Sequence, residues 1–319
     1  MKRLGFLLLD GFALMSAAAA MEPFRIANLF ADQQLYEIIP ISPSRDAAAS
    51  SLPASFQTIS IRDNNEPLDA IFVIAGGNPL SVNNPELFSW LRDLDRSGTA
   101  LGAVSGGAAI LANAGLMKNY RFTIHWHHLD ELKEQHPDLL LERRIFVIDR
   151  KRYTCAGGTA PLDMMYAIIA SEHGKSFAQR ISDWLIQTEI RVASAPQQGS
   201  LASRYGALPK VILEAYELME NHIADPLKLG QIAQLVGCSE RHLQRLMNEA
   251  KGCSVMHAYR QLRLEVAHSL LTTSSLPIGE ISEMTGFTSQ ALFADTYRKH
   301  FNETPRHTKQ AAKLFGDQP

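Results

Sequence analysis

The sequence predicts an α/β unit, a parallel sheet sandwiched between helices, followed by an all-α unit with two helix-turn-helix repeats. Three observations carry this. Short apolar runs alternate with helical patterns through residues 1–190, strand signals vanish beyond that point, and one helix–turn–helix pattern then occurs twice. A chain of 319 residues has room for two cores.

The first run, "LGFLLL", follows a basic start and precedes a string of alanines, features shared with signal peptides. Asp10-Gly11 stops it after six residues, Leu4 to Leu9, which reads as a buried first strand and its turn. Further strands are predicted at "YEIIPIS", "AIFVIAGG", "ALGAVSGG", "RFTIHW", "IFVID" and "RYTCAGG", with helices over 13–31, 84–97, 108–114, 129–135 and 160–173. Near-continuous apolar strands between helices imply a parallel sheet covered on both faces. The ligand crevice of such a sheet lies beyond the carboxyl ends of its strands. That singles out Gly76-Gly77-Asn78, Ser105-Gly106-Gly107 and His125-Trp126.

Apolar residues make up 46% of the chain and charged ones 20%, as in ordinary globular proteins. A net charge of −2 excludes a wholesale polybasic surface, so nucleic-acid binding must rest on local clustering. No apolar stretch is long enough to predict a membrane span. Cys155, Cys238 and Cys253 have neither metal spacing nor a pairing pattern, which fits a reducing cytoplasm.

Residues 191–207 are polar, small and proline-bearing, and read as a linker between domains 1–190 and 208–319. In the second domain "IAQLVGCSERHLQRLMNEAKGCS" is answered by "ISEMTGFTSQALFADTYRKHFNET". Ile232 pairs with Ile281, Gly237 with Gly286, Leu243 with Phe293 and Met247 with Tyr297, and the second copy has one extra residue after its turn. Each copy reads as a short helix, a glycine turn and a Ser/Thr cap (Ser239, Thr288) opening a longer helix. Residues 254–271 form a helical spacer of roughly 27 Å, a length that sets two recognition helices about one DNA turn apart.

The first domain resembles the PfpI/ThiJ superfamily, the class I glutamine amidotransferase-like fold, in its helix carrying Glu22, its "AGG" after a middle strand, its elbow near residue 105 and its "HW". "MEPFRIANLF", "AILANAGLMKNYRFTIHW" and "YTCAGGTAPLDMM" further resemble the amidase-like sensor domain of GlxA-type transcription regulators. Enzymes of the superfamily carry cysteine at the elbow, whose thiolate is readily formed. Here Ser105 stands there, Ala103 breaks the Gly-x-Ser-x-Gly pattern, and a Ser…Asp…His set would have to recruit Asp163 and His173. No catalytic residue is therefore expected. The cavity is expected to survive the loss of the nucleophile. Backbone N–H groups of Gly106 and Gly107, completed by Gly77, would bind a carboxylate, with Trp126 and Glu22 beside the cationic end of a zwitterion. Plainer roles remain open, Trp126 as a core aromatic and Glu22 as a cap or ion-pair partner. "HWHH" puts His125 and His127 on one strand face, but the sequence shows no further ligands, so no metal and no cofactor are expected.

The second domain resembles the AraC-type DNA-binding domain across residues 208–312, through "LRLEVAHSLL…PIGEISEMTGFTSQALF…YRKHF…TP". The resemblance assigns base reading to Arg241, His242, Gln244 and Arg245, residue types that suit guanine and adenine edges. Arg241, Arg245, Arg260 and Arg263 carry the electrostatic expectation. The second helix presents Gln290, Ala291, Ala294 and Asp295, so backbone anchoring by Arg298, Lys299 and Arg306 is expected there. Asn302 replaces the usual glycine, and asparagine tolerates the left-handed conformation.

Together the resemblances imply a cytoplasmic, one-component transcription regulator controlled by a nitrogenous metabolite, an amino acid, betaine or related amine. Promoter DNA, a second copy of the chain and RNA polymerase complete the expected partners. The alternative is a PfpI-type hydrolase or glyoxalase with an appended DNA-binding domain. A third reading is a constitutive DNA-binding protein whose first domain only dimerises.

Overall fold

In the computed structural model, which describes residues 1–43, 47–64, 66–199, 205–274 and 276–316, the chain falls into two units, Met1–Gln198 and Gly199–Pro319. Residues 200–204 of the expected linker lie outside the described residues.

The strands of the first unit are β1 (Lys2–Leu8), β2 (Tyr36–Ser42), β3 (Ala47–Ala49), β4 (Ser55–Gln57), β5 (Ile59–Ser60), β6 (Ala70–Ala75), β7 (Ala100–Ser105), β8 (Arg121–Phe122), β9 (Leu140–Leu141), β10 (Phe146–Asp149) and β11 (Arg152–Cys155). Its helices are α1 (Leu14–Phe30), α2 (Pro85–Arg96), α3 (Gly107–Asn113), α4 (Trp126–Gln135), α5 (Ala160–His173) and α6 (Lys175–Trp184). Among the described residues the main sheet runs β10-β11-β7-β6-β1-β2-β5 and is parallel except for β10. The first apolar run is thus an interior strand, paired with β2 on one side and β6 on the other.

Side chains along β1 alternate between two cores, as the strand period requires. Leu7 packs with Leu87, Leu91 and Ile110 of α2 and α3, while Leu4, Phe6 and Leu8 pack with Phe24, Met165 and Ile181 of α1, α5 and α6. α2 starts where Asn84 accepts from the Leu87 N–H at 3.1 Å and Pro85 follows the cap. α3 seats against β6 because residue 107 is glycine: a Cβ there would come 1.9 Å from the Val73 carbonyl oxygen.

Three expectations change. "RFTIHW" contributes only the two-residue β8, paired with β9 outside the main sheet, because the chain turns into α4 at Trp126. α6 was not anticipated. Residues 191–197 are bonded into the first unit and do not hang free. Ala195 accepts from the Ile145 N–H at 3.2 Å, and Gln197 Nε2 donates to the Ile124 and Arg144 carbonyls at 2.9 and 2.8 Å.

The second unit holds α7 (Lys210–Asn221), α8 (Leu229–Leu235), α9 (Glu240–Lys251), α10 (Val255–Thr273), α11 (Ile278–Met284), α12 (Gln290–Phe301) and α13 (Pro305–Gly316). Ser239 caps α9 by accepting from the His242 N–H at 3.2 Å. The matching cap of α12 is Ser289 and not Thr288: the extra residue lengthens the turn by one, and Ser289 accepts from Leu292 N–H at 3.2 Å. Both recognition helices end in a left-handed residue, Gly252 at φ 67° and Asn302 at φ 58°. Two small cores, one around Leu243 and Met247 and the other around Phe293 and Tyr297, share the spacer α10. The turn of the second repeat presses on the connection between α7 and α8: a Cβ at Gly286 would come 2.6 Å from the Ile223 carbonyl oxygen and 2.5 Å from Pro226. Arg263 of α10 fastens the same turn, donating Nε to the Thr285 carbonyl at 2.7 Å.

Candidate functional site

Beyond the carboxyl ends of β1, β2 and β6 lies a cavity of about 310 Å³. Its polar lining is Asp10, Ser42, Asn78 and the backbone of Gly76 and Gly77, and Leu9, Ala75 and Val82 add apolar wall. Asp10 lies two residues beyond β1, and its carboxylate accepts from the Ala49 N–H at 2.9 Å, tying the turn to β3. Gly76 is required by close approach, since a Cβ there would come 2.5 Å from the Gly11 carbonyl oxygen.

The elbow lies one strand away. Ser105 ends β7 at φ 58° and is 8% exposed, the strained strand-to-helix turn that presents a nucleophile in other proteins. Its supposed partners are engaged elsewhere. Asp163 takes Arg191 and Gln187, and His173 Nε2 lies 2.9 Å from the Tyr36 hydroxyl. The expected Gly106 anion site also fails, because that N–H donates to the Ala75 carbonyl at 3.0 Å and closes the turn onto β6. Beside the elbow, burial pushes the Cys155 thiol up to about 12, against hydrogen bonds from the Gly157 and Ser105 N–H groups. That thiol is inert at neutral pH.

Of the residues expected around an effector, Gly77 and Asn78 line the cavity, whereas Glu22, Ser105, Gly106, His125 and Trp126 do not. Glu22 is clamped by Arg25 one helical turn on, with Nη2 at 2.7 Å. His125 caps α4, its Nδ1 accepting from the His127 N–H at 3.3 Å. His127 therefore belongs to a helix and does not share a strand face with His125. Trp126 is 46% exposed, which removes its reading as a core aromatic. Burial lowers the pKa of His125, His127 and His128, the last to about 4, with His127 and His125 adding repulsion there. Among the described residues no group of three or more His, Cys, Asp or Glu is placed to hold a metal ion. Asp10 and Ser42 were missed, although each stands at the carboxyl end of a predicted strand.

In the second unit Arg241, His242 and Arg245 are exposed on α9. Arg245 Nη1 lies 2.7 Å from Glu249 Oε1. Gln244 departs from expectation: it is half-buried, and its Oε1 accepts from the Val255 N–H at 3.3 Å, so its carbonyl end serves the start of α10. Arg263 also leaves the charged face, stacking 4.3 Å over the Phe287 ring, and burial lowers its pKa. Gln290, Arg298 and Lys299 are exposed on α12, as is Arg306 at the start of α13.

Residues 3–171 match the DJ-1/PfpI family and residues 232–311 match a helix-turn-helix domain. The chain is 43% identical to the HTH-type transcriptional regulator GlxA of Rhizobium meliloti (strain 1021), over 95% of this chain and 94% of that one. It is 34% identical to the HTH-type transcriptional regulator CdhR of Pseudomonas aeruginosa, over 97% and 92% respectively. The crystal structure of an AraC family transcriptional regulator from Pseudomonas putida superimposes with a TM-score of 0.53 at 28% identity, covering 58% of this chain and 100% of that one. A mostly parallel DJ-1/PfpI unit followed by paired helix-turn-helix repeats places the chain among the AraC-type transcription regulators of the GlxA kind, the family to which it belongs.

Proposed function

We propose that this regulator senses a small amine-bearing metabolite in the cavity at the ends of β1, β2 and β6, and that ligand binding alters its hold on promoter DNA. The observation carrying this reading is a concave space of about 310 Å³, large enough for an amino acid, whose polar lining is Asp10, Ser42, Asn78 and the Gly76–Gly77 backbone. The described lining contains no aromatic ring. A quaternary ammonium is held best by aromatic faces. The lining therefore favours a hydrogen-bonding primary amine or guanidinium over a betaine. Promoter recognition rests on Arg241 and Arg245 at base edges and on Arg298, Lys299 and Arg306 at phosphates. The first unit works without catalysis, since Ser105 has its candidate base and acid committed to other partners.

Calorimetry of the full-length chain against amino acids, polyamines and betaines tests the reading. Saturation at 100 times the dissociation constant should add roughly 2.7 kcal/mol of stability. Binding of betaines alone, or an affinity indifferent to Asp10→Asn and Asn78→Ala in folded variants, would count against it.

A further inference from the structure

One helix, α4, is fastened at its carboxyl end to the wall of the cavity and at its amino end to the last residues of the first unit. Asn78 and Val82 line the cavity, and Pro79–Ser81 forms a short helical turn between them. Asn113, the last residue of α3, holds that turn, its Nδ2 donating to the Leu80 and Val82 carbonyls at 3.3 and 3.5 Å. Its Oδ1 lies 3.0 Å from His136 Nε2, and because an amide oxygen only accepts, the imidazole donates. His136 closes the carboxyl end of α4. Ten helical residues, about 15 Å, lead back to the amino end. There the Ile124 carbonyl, next to the cap His125, and the Arg144 carbonyl accept from Gln197 Nε2 at 2.9 and 2.8 Å. Gln197 is the penultimate residue of the first unit.

This last fastening is unbalanced. The Nε2 group has two hydrogens but faces three acceptors, the third being Thr123 Oγ1 at 3.0 Å. Gln197 Oε1 is buried and accepts no hydrogen bond among the described residues. A buried oxygen without a donor costs about as much as a hydrogen bond contributes, so the joint opens easily. Leu129 and Leu132 of α4 share one core with Leu80 of the cavity wall, and close packing transmits displacement between them. Thr123 supplies a pivot, since its N–H donates to Thr154 Oγ1 of β11 at 3.0 Å. We propose that α4 is a lever: a ligand that draws on the cavity wall shifts Asn113 and His136, rocks α4 and releases Gln197. The segment leading to the DNA-binding unit is then freed. The proposal rests on ligand sensing in this cavity and adds the way its occupancy is passed on.

The test uses the full-length chain and, as probe, a pool of the proteinogenic amino acids with putrescine. The DNA is a duplex selected from randomised sequence, with one subsite for each recognition helix. Hydrogen exchange at the Ile145 N–H, which donates to the Ala195 carbonyl, reports on the fastened segment. In the wild type the pool should raise the melting temperature, change DNA affinity and quicken exchange at Ile145 about tenfold. With Gln197→Ala the pool should still raise the melting temperature, yet DNA affinity should be the same with and without it. Asn113→Ala should quicken exchange at Ile145 with no pool added. Asn28→Ala, which removes hydrogen bonds from Leu35 and Tyr36 elsewhere in the unit, should not. A pool that stabilises the wild type but leaves Ile145 exchange unchanged overturns the lever alone, as does a wild-type DNA response in Gln197→Ala. A pool that neither stabilises the chain nor alters DNA affinity overturns sensing in this cavity and the lever with it.

Discussion

Arg191 closes on Asp163 from three sides. Its Nη2 and Nε lie 2.6 and 3.0 Å from Oδ2, and its backbone N–H lies 2.8 Å from Oδ1. The Asp163 side chain has no solvent exposure. Removing one partner of such a pair leaves a buried charge uncompensated. Arg191→Ala should destabilise the first unit by about 3 kcal/mol, read from urea titration. Arg191→Lys should recover only part of this, because an ammonium cannot reproduce the forked geometry. A loss under about 0.5 kcal/mol would show that water replaces the guanidinium freely.

Ser105→Ala should fold and bind DNA as the parent does. The parent protein should show no glyoxalase, peptidase or amidase turnover, since Asp163 and His173, the candidate acid and base, are held by Arg191 and Tyr36. Turnover abolished by Ser105→Ala would make the first unit an enzyme.

Asn78→Ala should weaken effector binding about tenfold, as the loss of a hydrogen bond to a charged group does. Trp126→Ala should leave effector affinity unchanged, because the indole stands outside the cavity lining. Calorimetry giving the reverse order would move the sensing site to the His125–Trp126 segment.

The stability of the first unit should carry an acidic limb from the α4 histidines. His128 is held down to about 4 by burial, from an ordinary 6.5, so the folded state favours the neutral ring. Its contribution is fully present above pH 6.5 and is lost as pH falls from there towards 4. His128→Gln should flatten thermal stability across that interval while leaving the value at pH 8 nearly unchanged.

Arg245→Ala should change which base is preferred in the first subsite, at a cost of about 1–3 kcal/mol. Lys299→Ala should weaken all sequences alike and lower the salt slope by about one. Selections repeated at two salt concentrations separate the two outcomes. If Lys299→Ala altered base preference and Arg245→Ala did not, reader and anchor would be exchanged.

The strands of the main sheet were legible wherever an apolar run ended in a turn residue, as at Asp10 and Gly76. "RFTIHW" misled because Phe122, Thr123 and Ile124 are buried without pairing in the main sheet, and apolar sequence reports burial rather than hydrogen bonding. The Asp163–Arg191 pair spans 28 positions and leaves no periodic trace. At the elbow, the residues showed that a nucleophile's place was occupied by serine. They could not show that the Gly106 N–H was already spent on Ala75, which depends on the position of β6. In the repeats, Gln244 looked like a reader because its type suits adenine, yet the start of α10 claims its carbonyl end.

The contact of Gly286 with Ile223 and Pro226 has a consequence for the promoters this regulator serves. With no side chain at that turn, the second repeat packs directly on the connection between α7 and α8, and the single helix α10, shared by both cores, sets the gap between the recognition helices. One inserted base pair shifts the second subsite by about 3.4 Å and rotates it by roughly a tenth of a turn. Over generations, regulated promoters can exchange letters within either subsite at a graded loss of affinity. A single insertion or deletion between the subsites should cost far more affinity than the exchange of one letter.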